Sequence, residues 1–142
     1  MAPDETEAYA IATWARFNAS VPNDLLRALS GAFALVAASD GELAKSEVDA
    51  FVQLLRAKAG VFAGIDLDSL ETTFRDLADS LIADPEDGRL RALECIGLVK
   101  GDPEKAEMVR SGAAVALAAD GRARAPEETT MRAIRAALGL EA

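Results

Sequence analysis

Apolar positions recur at helical spacing along the chain, and glycine, proline and aspartate divide them into about seven segments. The first, about Asp4 to Asn18, has Asp4, Glu5 and Glu7 near its positive end and Ile11, Trp14, Ala15 and Phe17 on one packing face. Pro22 and Asn23 open a second, which continues Leu25, Leu26, Leu29, Phe33, Leu35, Val36 and stops at Gly41. From Ala28 onward it is apolar on every side, which predicts a helix at the centre of a bundle. The third, about Ala44 to Ala59, turns Val48, Phe51, Val52, Leu54 and Leu55 inward. Asp66 is a fitting N-cap for a fourth, Leu67 to Ala83. Asp84-Pro85 starts a fifth that reaches Gly101, and Asp102-Pro103 starts a sixth that Gly121 stops. Pro126 opens a seventh, which ends at Leu138 before Gly139. No segment alternates with period two, so no sheet is expected. The expected fold is an all-α bundle of about seven helices, in a single domain over residues 1–142.

Two of these helices end alike. Ala38-Ser39-Asp40-Gly41 is followed, five residues on, by Glu47; Ala118-Ala119-Asp120-Gly121 is followed, five residues on, by Glu127. The matched positions lie 80 residues apart, and the faces that follow match as well: Phe51 with Met131, Leu54 with Ile134. The chain thus carries two copies of an apolar helix, an Asp-Gly, a short loop and a Glu on the next helix, at 28–55 and 108–138. A bundle with an internal pseudo-twofold repeat and the two apolar helices packed together follows. The small residues Gly31, Ala34, Ala113 and Ala116 would let those two approach closely.

Composition narrows the chemistry. The 142 residues are 51% hydrophobic, enough for a core, but only 5% aromatic, and the apolar count leans on Ala, which favours helices over sheets. There is no histidine, which removes imidazole-activated nucleophiles and imidazole metal ligands together. The single cysteine, Cys95, lies in the apolar run Leu93–Val99 and reads as a small core residue. The net charge of −9 argues against nucleic acid as a partner. The start lacks the layout of a signal peptide, and the longest uncharged run, Ala28 to Ser39, is too short to span a membrane. A soluble cytoplasmic protein is expected.

The repeated acids carry the candidate chemistry. An Asp at a helix C-terminus faces the negative end of the dipole, so its appearance twice in matched places calls for a compensating contact. Two readings satisfy this. Each Asp can reach across the loop to cap N–H groups of the next helix, with Glu47 and Glu127 comfortable in first turns. Alternatively the acids converge on a hard divalent cation, Ca²⁺ or Mg²⁺ rather than Zn²⁺, through oxygen ligands. The spacing of Asp-Gly to Glu matches the end of an EF-hand loop. The first two ligand positions would then be Val36 and Ala38, or Ala116 and Ala118, which offer no side-chain oxygen, so an EF-hand is excluded.

The run Leu-Val-Ala-Ala-Ser-Asp-Gly-Glu-Leu at 35–43 with Glu47, echoed by Ala-Val-Ala-Leu-Ala-Ala-Asp-Gly at 114–121 with Pro126-Glu127-Glu128, resembles the tellurite-resistance TerB family. The likeness runs from about Leu25 to Leu138. It implies a compact helical fold with internal pseudo-symmetry, in a cytoplasmic protein of bacterial tellurite-resistance and stress-response systems. It further implies divalent-metal binding through Asp40, Glu47, Asp120 and Glu127, no organic cofactor and no enzymatic activity. The implied partner is a membrane-embedded TerC-like protein, which would hold this chain peripherally at the inner membrane. The second copy departs from the first: Arg122 and Arg124 flank Asp120, where a guanidinium would pair with the acids and repel a cation, and Ala123 replaces Leu43.

Charge divides unevenly along the chain. Residues 1–88 hold 6 basic and 16 acidic side chains, residues 89–142 hold 9 and 8. Solvated helix faces account for this, and so would an acidic face for cations or a basic partner opposed by a mildly basic one. Three functions are consistent with the chain: a cation-binding module, a metal-independent interaction scaffold whose acids are caps, and an enzyme working through paired carboxylates. The last lacks a nucleophile elbow, a phosphate loop and a substrate-binding aromatic cluster; Trp14 and Tyr9 read as packing residues.

Overall fold

The computed structural model describes residues 5–14, 22–39, 43–58, 65–120 and 124–140, with the side chains of 5–7, 13, 118–120 and 124–127 outside that description. Seven helices are found among them, and no strand: α1 Glu5–Trp14, α2 Asn23–Ala37, α3 Lys45–Ala57, α4 Leu67–Ala83, α5 Pro85–Gly97, α6 Pro103–Asp120 and α7 Arg124–Leu138. The all-α bundle expected from the apolar spacing is the fold.

Local chemistry sets the boundaries. The Asp66 carboxylate accepts the Asp68 and Ser69 amides at the start of α4, and Asp84 accepts the Asp87 amide ahead of Pro85. Asp102 does the same for Lys105 ahead of Pro103. The fifth helix stops at Gly97 rather than at Gly101. Its chain continues through tight turns bonded three residues apart, Leu98 to Cys95, Val99 to Ile96 and Lys100 to Gly97, and Gly101 leaves them at φ 97°, where a side chain would be strained. The seventh begins at Arg124, two residues before Pro126. Proline is tolerated there because the first-turn amides have no intrahelical acceptor. Gly139, at φ 75°, closes it.

Helix α2 is the centre. From Leu25 to Ala37 every residue but Arg27 is buried, and the helix packs against α3, α4, α5, α6 and α7. Each fully buried large side chain contributes about 1.5–3 kcal/mol, so Leu25, Leu29 and Phe33 give α2 a large share of the core's stability. Gly31 does not serve the α2–α6 approach expected of it. A Cβ there would stand 2.5 Å from the Ala92 carbonyl oxygen and 3.1 Å from the Cys95 Cβ, so this glycine lets α5 close on α2. Ala34, Ala113 and Ala116 are buried as expected, Cys95 is a core residue, and α2 and α6 do pack together.

The repeat reaches one helix further than its sequence motif. Glu5 and Pro85 begin α1 and α5, Asn23 and Pro103 begin α2 and α6, each pair 80 residues apart, and α3 and α7 follow within one residue of that offset. Contacts exchange in the same way: α5 lies on α2 as α1 lies on α6, and α7 lies on α2 as α3 lies on α6. Helix α4 joins the two halves and packs on α2, α3 and α5. Lys105 reaches both carboxylate oxygens of Asp24, at 3.2 and 3.1 Å, so α2 and α6 begin side by side and lead away from that shared end.

Candidate functional site

Helix α2 ends at Ala37, three residues before Asp40, whereas α6 ends at Asp120 itself. The last turn of α2 holds no basic residue, and neither does that of α6, so nothing within these turns offsets the negative end of either helix dipole. Asp40 lies outside the described residues. Asp120 is the last residue of α6 and Glu127 falls in the first turn of α7, but their side chains lie outside the description. Arg122 and Ala123 lie outside it as well, and Arg124 is placed only as the first residue of α7.

Glu47 is the one motif acid whose side chain is placed. It is the third residue of α3, and its Oε1 accepts the Ala44 amide at 2.9 Å, while its own amide donates to the Ala44 carbonyl at 2.9 Å. This is the glutamate half of a capping box; Ala44 has no side-chain oxygen to supply the other half. Leu43, in the loop before it, packs on the core, which anchors the approach to α3. The helices of the two motifs also meet across the repeat: α3, bearing Glu47, packs on α6, and α7 packs on α2.

Among the described residues, no three acids or thiols cluster as a metal-binding group. A hard cation would draw on Asp40 and Glu47 at the first motif or on Asp120 and Glu127 at the second, with backbone carbonyls and water. Those donors are all oxygen, the chemistry Ca²⁺ and Mg²⁺ take. Also among the described residues, no helix is long and apolar enough to cross a membrane.

Three charged groupings were not singled out in the sequence. On the outer side of α3 and α4, Arg75 bridges Glu71 and Asp49, each at 2.8 Å, and Arg56 bridges Glu71 at 2.7 Å and Asp68 at 3.0 Å. The Arg75 and Arg56 guanidiniums hold the Glu71 carboxyl below its ordinary range. On α6, Arg110 makes two 2.7 Å bonds to Glu107, which also accepts the Tyr9 hydroxyl at 2.5 Å, and the Arg110 guanidinium lies 5.8 Å from the centre of the Tyr9 ring. Arg110 first, and then Tyr9, keep Glu107 low against the opposing effect of burial. Tyr9 is therefore a half-exposed surface residue and not the packing residue expected, whereas Trp14 is fully buried with its Nε1 donating to the Met108 carbonyl at 3.1 Å. The third grouping is the Asp24–Lys105 pair. Glu71/Arg75 and Glu107/Arg110 were legible as helical i,i+4 and i,i+3 pairs; the contacts between helices carried no such signal.

A crevice of about 410 Å³ lies between α2, α4 and α5, with Arg27, Asp76, Arg91 and Glu94 around an apolar floor of Leu77 and Cys95. Arg91 stands 3.6 Å from Asp76, so part of its charge is already paired within the wall.

The sequence profile of a family described as tellurite resistance protein TerB matches residues 26–142, from the fourth residue of α2 through α7, including both acidic motifs. No curated protein and no solved structure matches the chain.

Proposed function

The chain belongs to the tellurite-resistance TerB family, and from that premise we propose that it is a non-catalytic module that binds a divalent cation through its acidic motifs and acts by associating with a protein partner. The first motif, Asp40 and Glu47, is the principal site; Asp120 and Glu127 form the second, which Arg122 and Arg124 weaken. The observation that carries this reading is the pairing of each Asp-Gly element with a helix end whose last turn contains no base. A hard cation relieves an acid near the negative end of a dipole, and backbone carbonyls are suitable further ligands for it. With no histidine in the chain and the lone Cys95 buried against Gly31 in another part of the bundle, the donor set is oxygen, which favours Ca²⁺ or Mg²⁺ over Zn²⁺. The partner we propose is a membrane-embedded TerC-like protein, as the resemblance to the family implies, with this chain on the cytoplasmic side. Direct chemistry on tellurite is not part of the reading, because an anionic chain without a reactive thiol cluster is poorly suited to bind or reduce an oxyanion.

A second reading is favoured by one observation, the Ala44 amide held by Glu47. It makes the chain a metal-independent helical scaffold whose acids are caps. Calorimetric and thermal-shift titration of chelator-treated protein with Ca²⁺, Mg²⁺, Mn²⁺ and Zn²⁺, beside Asp40→Asn and Asp120→Asn, separates the two. Saturable stabilisation by one ion, lost in Asp40→Asn, supports the cation module. No response to any ion, with both variants merely less stable, leaves the scaffold.

A further inference from the structure

We propose that Arg75 is a positioning residue for the first acidic motif: by clasping Asp49, one residue past the opening turn of α3, it fixes the N-terminal half of that helix, and with it Glu47. The inference rests on the cation reading for what Glu47 does, but its geometry stands independently. The Arg75 Nε is tied to Glu71 Oε2 at 2.8 Å, one turn back on its own helix, so the guanidinium is already aimed when its Nη1 meets Asp49 Oδ1 at 2.8 Å. Asp49 is two residues from Glu47. At the other end of α3, Arg56 donates to Glu71 Oε1 through Nε at 3.0 Å and Nη2 at 2.7 Å, and to Asp68 at 3.0 Å. Asp49, Arg75, Glu71, Arg56 and Asp68 thus form a ladder of alternating sign that ties the second turn and the last turn of α3 to α4.

The inner side of the same stretch is held by apolar contact. Phe51 stacks on Phe74 with ring centres 5.1 Å apart, and lies 5.9 Å from Phe33 of α2. Phe74 and Arg75 are neighbours on α4, and Phe51 follows Asp49 by two, so one segment of α4 holds one turn of α3 from two sides. Exposed ion pairs add little to stability singly. What a doubly tied arginine adds is direction: through Asp49 it restricts where the N-terminal half of α3, and hence Glu47 two residues earlier, can stand.

The test uses Arg75→Gln and Arg75→Lys in the full chain, with far-UV circular dichroism to establish folding. Without any cation, exchange of the Ala44 amide, which Glu47 holds, is read by NMR; it should quicken in Arg75→Gln and recover in part in Arg75→Lys. Calcium affinity, read by calorimetry, should then fall about tenfold in Arg75→Gln. The sign is decisive, because removal of a positive charge by itself strengthens cation binding, whereas loss of positioning weakens it. Unchanged Ala44 exchange, or calcium binding as tight as or tighter than in the parent, would overturn the role of Arg75. A parent protein that binds no cation while Ala44 exchange still quickens in Arg75→Gln would overturn the cation reading and leave the positioning intact.

Discussion

Gly31 of α2 lies so close to Ala92 of α5 that a Cβ on the glycine would stand 2.5 Å from the alanine's carbonyl oxygen. The obstacle is backbone, flanked by Cys95 and Ile96 side chains, so it cannot swing aside. Gly31→Ala should therefore destabilise the protein by about 1–3 kcal/mol, against the small gain that alanine brings to an unobstructed helix interior. Urea denaturation measures this directly. A variant as stable as the parent would mean that α2 and α5 are further apart than described.

Trp14 is the chain's only tryptophan, fully buried, with its indole N–H on the Met108 carbonyl. Its emission should be blue-shifted and shielded from iodide, and should report on the seating of α1 upon α6. Trp14→Phe should cost about 1–2 kcal/mol, the hydrogen bond plus a small void. Trp14→Ala should cost about 3–5 kcal/mol. An exposed, readily quenched tryptophan in the folded parent would contradict the docking of α1.

Acid should weaken the fold through Glu71 and Glu107. Both carboxyls are held below the ordinary value of 4.5, Glu71 by Arg75 and then Arg56, Glu107 by Arg110 and then Tyr9. A group whose folded-state pKa is depressed contributes stability that is whole above its unfolded pKa and is lost as pH falls through the folded one. Glu107→Gln should thus be less stable than the parent at pH 7, and the gap should close as the pH drops below the ordinary carboxylate range. Urea curves recorded from pH 7 to pH 3 measure the gap; one that stays constant would assign the loss to packing instead of charge.

The elements that could be read in advance were those fixed by a few neighbouring residues. Asp66, Asp84-Pro85 and Asp102-Pro103 bond amides within three residues of themselves, so α4, α5 and α6 start where their caps say. The all-apolar run of α2 announced its central place for the same reason: its environment is the same on every side. Partnership between distant segments was harder. Gly31 signals a close approach without saying which helix makes it. Tyr9 looks like core by type, yet its hydroxyl meets Glu107, 98 residues away, at the surface. The correspondence of α1 with α5 has no shared motif to betray it. At the candidate site, Glu47 stood in a first turn as expected, and its bond to Ala44 is the local kind that a residue three positions from a helix start makes.

That bond also allows the two readings of the acidic motif to be parted at a single residue. A cap needs an oxygen acceptor, which glutamine retains; a hard cation needs the carboxylate charge, which glutamine lacks. Glu47→Gln should keep the Ala44 amide bonded and hold the parent's stability in chelator, while losing the stabilisation that a divalent cation confers. Glu47→Ala should lose both, with a cost in chelator of roughly 0.5–1 kcal/mol for the missing hydrogen bond. Thermal and urea denaturation of the three proteins, each with chelator and with saturating Ca²⁺, gives the comparison. If Glu47→Gln responds to Ca²⁺ as the parent does, Glu47 is a cap alone and any cation is held by Asp40 or the second motif. If only Glu47→Ala is impaired and no protein responds to the ion, the glutamate serves the start of α3, and the metal-independent reading of the chain stands.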